Sequence, residues 1–123
     1  MGLFKSFNKY NKNIAIIDKK YSDLSYKQVL IETDEIKKEI KNRSLILIVA
    51  ENSLGSLLAY IFCIINNHAG IIIDSKTTKQ NILKIFKNYQ PNYIFLSKKK
   101  NLYLKKFVQK NILFLIKVWW KIN

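Results

Sequence analysis

A chain of 123 residues, 49% hydrophobic and 24% charged, has room for one domain or for part of a larger one, and this composition excludes a disordered or low-complexity segment. The formal net charge of +14, from 22 Lys and Arg against 8 Asp and Glu, raises the question of a nucleic-acid or anionic-membrane partner. Arg43 is the only arginine, though, and the lysines are scattered apart from Lys98, Lys99 and Lys100; without the bidentate forks that read phosphates and bases, no specific nucleic acid is expected, and the Lys, Ile and Asn bias reads as AT-rich codon usage.

The chain begins Met1, Gly2, Leu3, Phe4, Lys5, with no long apolar region and no small-residue cleavage site, so it is not a secretory signal. Met1 and Gly2 with Ser6 meet the loose myristoylation pattern, which reads as chance. Residues 1–12 read as an N-terminal helix or extension. Residues 13–18 (NIAIID) are a short apolar run ending in turn-formers, and Leu24, Ser25 and Tyr26 offer a second extended piece across a turn at 19–23. Together they predict a small hairpin. Ser25 is then the N-cap of a helix, with Gln28 completing a weaker form of the capping box. Val29, Leu30, Ile36 and Ile40 recur near helical spacing, while Glu32, Glu35, Lys38 and Glu39 take the other faces, to about Asn42.

Residues 44–50 (SLILIVA) are a continuous apolar run, the mark of a strand buried on both faces of a parallel sheet. Glu51, Asn52 and Ser53 interrupt it before a helix over 54–67. A strand over 70–73 follows, then a turn and cap at 74–78, a helix over 81–89 with Ile82, Ile85 and Phe86 inward, and a strand over 93–96 after the helix-stopping Pro91. This alternation predicts parallel βαβ units in a three-layer α/β fold, with a mostly parallel sheet, crossover helices and a hairpin in front. Residues 98–123 read as a basic and apolar tail: one more helix over 102–109 and strand over 112–116, or out-of-frame sequence. Trp119 and Trp120 would set two large indoles at a chain end, where little is available to bury them.

Cys63 is the only cysteine and lies in an apolar helical run, so it reads as a small buried hydrophobe in a reducing, cytoplasmic setting. His68 has no second His or Cys at ligand spacing and gives no basis for a metal site. The uncharged stretch 54–65 falls well short of the roughly 20 residues that span a bilayer. No GxGxxG, GxxxxGK[ST], GxSxG or CxxC is present, and 3 glycines cannot build a glycine-rich phosphate cradle.

What the chain has instead is an ordered set of weaker features. Ala15, Ile16, Ile17 and Asp18, then Leu24 to Val29 (LSYKQV), resemble the "A-I-x-D … L-T-Y-x-E-L" opening of the AMP-binding, adenylate-forming ligases, the acyl-CoA synthetase-like superfamily. Ile48 to Ser53 followed by Ala59 and Tyr60 resembles that family's "V-x-L-x-x-x-N-S-x-x-x-x-x-A-Y". His68, Ala69 and Gly70 resemble its "x-A-G", and Ile73, Asp74 and Ser75 stand where it often has L-(N/D)-P. Residues 82–95 (ILKIFKNYQPNYIF) resemble the "L-x-x-I-x-x-x-x-P-x-Y-I-x" helix and strand of some bacterial members. Each match is common in α/β proteins; their order across residues 13–97 is the specific signal. Ser75 in place of Pro, and the short segment from Gly70 to Asp74, imply a trimmed loop at that strand end.

The resemblance implies that residues 13–97 are a partial N-terminal subdomain of such a ligase, truncated before the Ser/Thr/Gly-rich phosphate loop, the ribose-binding acid, the adenine motif and the mobile domain with its catalytic Lys. No catalytic, cofactor-binding or metal-binding residue carries over; ATP and Mg²⁺ are expected only for full-length relatives. Asn52 and Ser53, at a strand end feeding a helix N-terminus, form a natural anion trap, but first they read as helix caps. Asp18, Asp74 and Tyr26 likewise read as turn or packing residues. The partners expected are the remainder of the ligase and further copies of the chain, with no membrane span. The alternative is a small stand-alone basic α/β module that binds an acidic partner or nucleic acid.

Overall fold

A computed structural model describes residues 7–19, 23–96 and the backbone of 117–119. The hairpin pairs β1 (Ile14–Ile16) with β2 (Leu24–Ser25) in antiparallel fashion. Ser25 then caps α1 (Tyr26–Glu39) through a complete capping box: the Gln28 amide donates to Ser25 Oγ at 3.2 Å, and the Ser25 amide donates to Gln28 Oε1 at 2.8 Å. The amides of Tyr26 and Lys27 donate to the carbonyls of Asn13 and Asn11 at 3.0 and 3.1 Å, which ties the helix start to the hairpin.

The main sheet holds β3 (Leu45–Ala50), β4 (Ala69–Asp74), β5 (Tyr93–Phe95) and β6 (Lys117–Trp119), all parallel, in the order β4-β3-β5-β6. Between them run α2 (Leu54–Ile65) and α3 (Lys79–Tyr89). Because β4 is added on one side of β3 and β5 on the other, right-handed crossovers must carry α2 and α3 to opposite faces. The packing agrees. Leu47, Val49, Ile94 and Leu96 meet Ile82 and Phe86 of α3 on one face. Ile46, Ile48 and Phe95 meet Ile36 of α1, its C-cap Ile40, and Ala59, Phe62 and Cys63 of α2 on the other. The period-2 alternation of strand side chains thus distributes one apolar run between two cores. A third cluster of Phe7, Val29, Leu54, Leu58 and Ile61 seats the hairpin against α1 and α2.

Three helix limits differ from the periodicity reading. The first helix stops at Glu39, short of Asn42, because Ile40 is already extended at φ −117°, ψ 90°. The second stops at Ile65, short of Asn67, where Asn67 turns left-handed at φ 58°. The third starts at Lys79, two residues early, because the Thr78 hydroxyl accepts the Asn81 amide at 3.3 Å. The expectations for residues 1–6, for 20–22 of the hairpin turn, and for a helix over 102–109 and a strand over 112–116 lie outside the described residues.

Candidate functional site

In doubly wound sheets, ligands bind outside the carboxyl ends of the strands where the winding reverses. Here the reversal falls at β3, which has β4 on one side and β5 on the other. Beside the end of β3 lies a cleft of about 380 Å³, bounded by the hairpin (Ile16 to Asp18), the loop Glu51 to Ser53, the first turns of α2, and Ile72 of β4. Its walls are apolar, with Leu57 and Tyr60 from α2, and its polar rim carries the carboxylates of Asp18 and Glu51. Among the described residues no Lys or Arg lines it, although the chain's net charge is +14.

The loop's polar groups are turned inward on themselves. Ser53 is the N-cap of α2, its Oγ accepting the Ser56 amide at 3.3 Å. Ser56 Oγ in turn accepts the Glu51 amide at 2.9 Å and lies 3.2 Å from Ser53 Oγ, while the Ser53 amide donates to the Glu51 carbonyl at 2.8 Å. Three amides that an anion would use therefore already have protein acceptors. The helix start works as a cap, and two nearby carboxylates oppose a phosphate there.

The remaining residues that stand out in the sequence lie apart from this cleft. Asp74 makes a turn: Oδ1 accepts the Lys76 amide at 2.7 Å and its carbonyl accepts the Thr77 hydroxyl at 2.6 Å. The Tyr26 ring meets Phe7 edge-on, centroids 4.7 Å apart. Cys63 is buried, and burial pushes its thiol up to about 11. A β-carbon added at Gly70 would stand 3.7 Å from its Sγ, so the thiol packs against that glycine's backbone. Among the described residues, no three His, Cys, Asp or Glu side chains gather into a metal-binding group, and no helix is long and apolar enough to cross a membrane.

His68 has a role that the sequence did not announce. Its Nδ1 accepts the amide of Ser44 at 3.1 Å, and its ring packs on Phe62 at 5.0 Å. Asn92 does the same for the other neighbour, its Oδ1 accepting the Leu45 amide at 2.9 Å. Both residues immediately precede a strand that flanks β3, a shared position that is the one clue available in the sequence. Ser56, three residues after the cap, was also missed; the spacing Ser53 to Ser56 is its signal.

No protein-family model matches the chain, and no curated protein does either. Solved structures do match. The luciferase-like enzyme from the nonluminescent mealworm Zophobas morio superposes with a TM-score of 0.78 at 19% identity, over 98% of this chain and 30% of that one. The red-emitting luciferase from Phrixothrix hirtus gives 0.77 at 22% identity, over 98% of this chain and 32% of that one. The anthranilate CoA ligase AuaEII, in complex with anthranoyl-AMP, gives 0.79 at 13% identity, over 95% of this chain and 24% of that one. The chain thus has the fold of a part of these enzymes and spans about a third of their length or less.

Proposed function

We propose that these residues are the N-terminal segment of an adenylate-forming ligase and that, by themselves, they form a scaffold without adenylating activity. Full-length relatives activate a carboxylic acid with ATP and Mg²⁺ to an acyl-adenylate, then pass the acyl group to a thiol. One observation carries the reading: a fold likeness over 98% of this chain accounts for only 30% of a luciferase-like enzyme, and the order of sequence features that resembles the ligases runs along the same elements. The "AIID" run supplies the end of β1 and the residues after it, "LSYKQV" the cap and first turn of α1, "NS" the lead into α2, "HAG" the start of β4, and "PNYIF" strand β5.

The absence of activity follows from charge. Transition-state charge on a transferring nucleotidyl group must be met by preorganised donors and cations. The cleft has its loop amides in use and carboxylates on its rim. What the chain's residues do instead is hold a sheet whose β4 side has no strand partner among the described residues. Ile17, Leu57, Tyr60 and Ile72, all large and exposed, surround that side and the cleft. The remainder of the ligase covers this surface in our reading, and further copies of the chain compete for it in the cytoplasm.

Sequencing the DNA downstream tests the proposal directly. A next or frame-shifted reading frame encoding the rest of a ligase is the expected result; a complete gene with its own terminator overturns it. ATP–pyrophosphate exchange by the purified chain across a panel of carboxylic acids is expected to be absent. Exchange that disappears with a Ser53→Ala, Ser56→Ala double substitution would place chemistry at the cleft and overturn the scaffold reading.

A further inference from the structure

We propose that His68 is an acid-sensitive latch on the central strand: its neutral Nδ1 holds the Ser44 amide where β3 begins, and protonation of the ring releases that amide and loosens the start of the β3–β4 pairing. Ser44 is gripped by two successive residues. The Ala69 amide donates to the Ser44 carbonyl at 3.1 Å, and the His68 ring accepts the Ser44 amide at 3.1 Å. The ring is held in place by its contact with Phe62, tilted by 31°, and by its own amide, which donates to the Cys63 carbonyl at 2.9 Å. The left-handed turn at Asn67, φ 58°, delivers it there from the end of α2.

An imidazole that accepts at Nδ1 carries its proton on Nε2. Adding a second proton converts Nδ1 into a donor facing another donor across 3.1 Å, and the bond cannot survive. The Ser44 amide, part-buried, then loses its partner. Among the described residues, the charged group that bears on the ring is Arg43, beside Ser44, and the nearest titratable group on α2 along the chain is Cys63, whose carbonyl accepts the His68 amide. Burial opposes the imidazolium most strongly and the guanidinium of Arg43 adds to it, so the His68 pKa lies below its ordinary 6.5. The Cys63 thiol, pushed up to about 11, is neutral throughout this range.

The sign follows from proton linkage. The opened state binds the proton more readily than the closed one, so the latch is fully closed above about pH 6.5 and weakens as pH falls from there through the lower folded value. His68 is the only histidine, so no other histidine contributes in this window.

Hydrogen exchange of the full chain, followed by mass spectrometry on a peptide spanning 43–48 at pH 7.5 and 5.5 and corrected for intrinsic rates, reads the latch. The expected result is a loss of protection as pH falls below 6.5 in this peptide, by no more than about tenfold per pH unit for one proton, which a peptide from α3 does not share. His68→Gln, whose carbonyl accepts without titrating, is expected to flatten that dependence. Equal loss in the variant overturns the proposal. Should the variant not fold, the nitrogen shifts of a ¹⁵N-histidine-labelled wild-type chain decide: an Nδ1–H tautomer at pH 7.5 overturns the proposal, and an Nε2–H tautomer supports it.

Discussion

Asn92 is bonded to Leu45 twice: its amide donates to the Leu45 carbonyl at 2.8 Å, and its Oδ1 accepts the Leu45 amide at 2.9 Å. The pair closes the β3–β5 junction one step before the ladder proper starts at Ile46 and Tyr93. Replacing Asn92 with Ala removes the acceptor while leaving the backbone bond, and is expected to cost about 0.5–1.5 kcal/mol. Asn92→Asp keeps an acceptor and should recover most of it. Urea midpoints of the two variants check this; an Ala variant as stable as the parent would show that water replaces Oδ1 without loss.

Cys63 should be nearly inert in the folded chain. A pKa of about 11 against an ordinary 9.0 leaves about a hundredfold less thiolate at pH 8, before any steric shielding by the helix packing is counted. Reaction with a disulfide reagent at pH 8 should therefore be slow, and should accelerate sharply in denaturant. Prompt labelling without denaturant would show that α2 opens readily from the sheet.

The chain is expected to self-associate despite its charge. Strand β4 carries Ile71, Ile72 and Ile73 with neither Lys nor Pro to guard the side away from β3, and Ile72 is 54% exposed. Ile72→Lys should lower light scattering at a given concentration. A parent chain that stays monomeric, or a variant that scatters as strongly, would remove this side of the sheet as the sticking point.

Any DNA binding should be weak, indifferent to sequence and lost steeply with added salt, since scattered lysines do no more than release counterions. Fluorescence anisotropy at two salt concentrations measures it. Tight, sequence-selective binding that persists at physiological salt would favour the stand-alone basic module over the ligase segment.

How much of this was legible beforehand differs from element to element. The run Leu45–Ala50 declared a doubly buried strand because both cores draw on it, and Ser25 with Gln28 declared a helix start because the capping bonds are local. Strand order was not legible. An apolar run shows that both faces are covered, but which strand lies to either side depends on the faces that α2 and α3 take, and those contacts are distant in sequence. The roles of His68 and Asn92 were hidden for the same reason, since their partners lie across the sheet. The cleft at Asp18, Glu51 and Tyr60 was likewise assembled from three separate elements, and only its Asn52–Ser53 corner stood out in the sequence.

The two side-chain bonds at the start of β3 also impose an order on synthesis. Ser44 awaits a partner 24 residues later in the chain, and Leu45 awaits one 47 residues later. On the ribosome the central strand therefore emerges long before either of its clasps, and a nascent chain that lacks Asn92 holds its most apolar strand with one flank open.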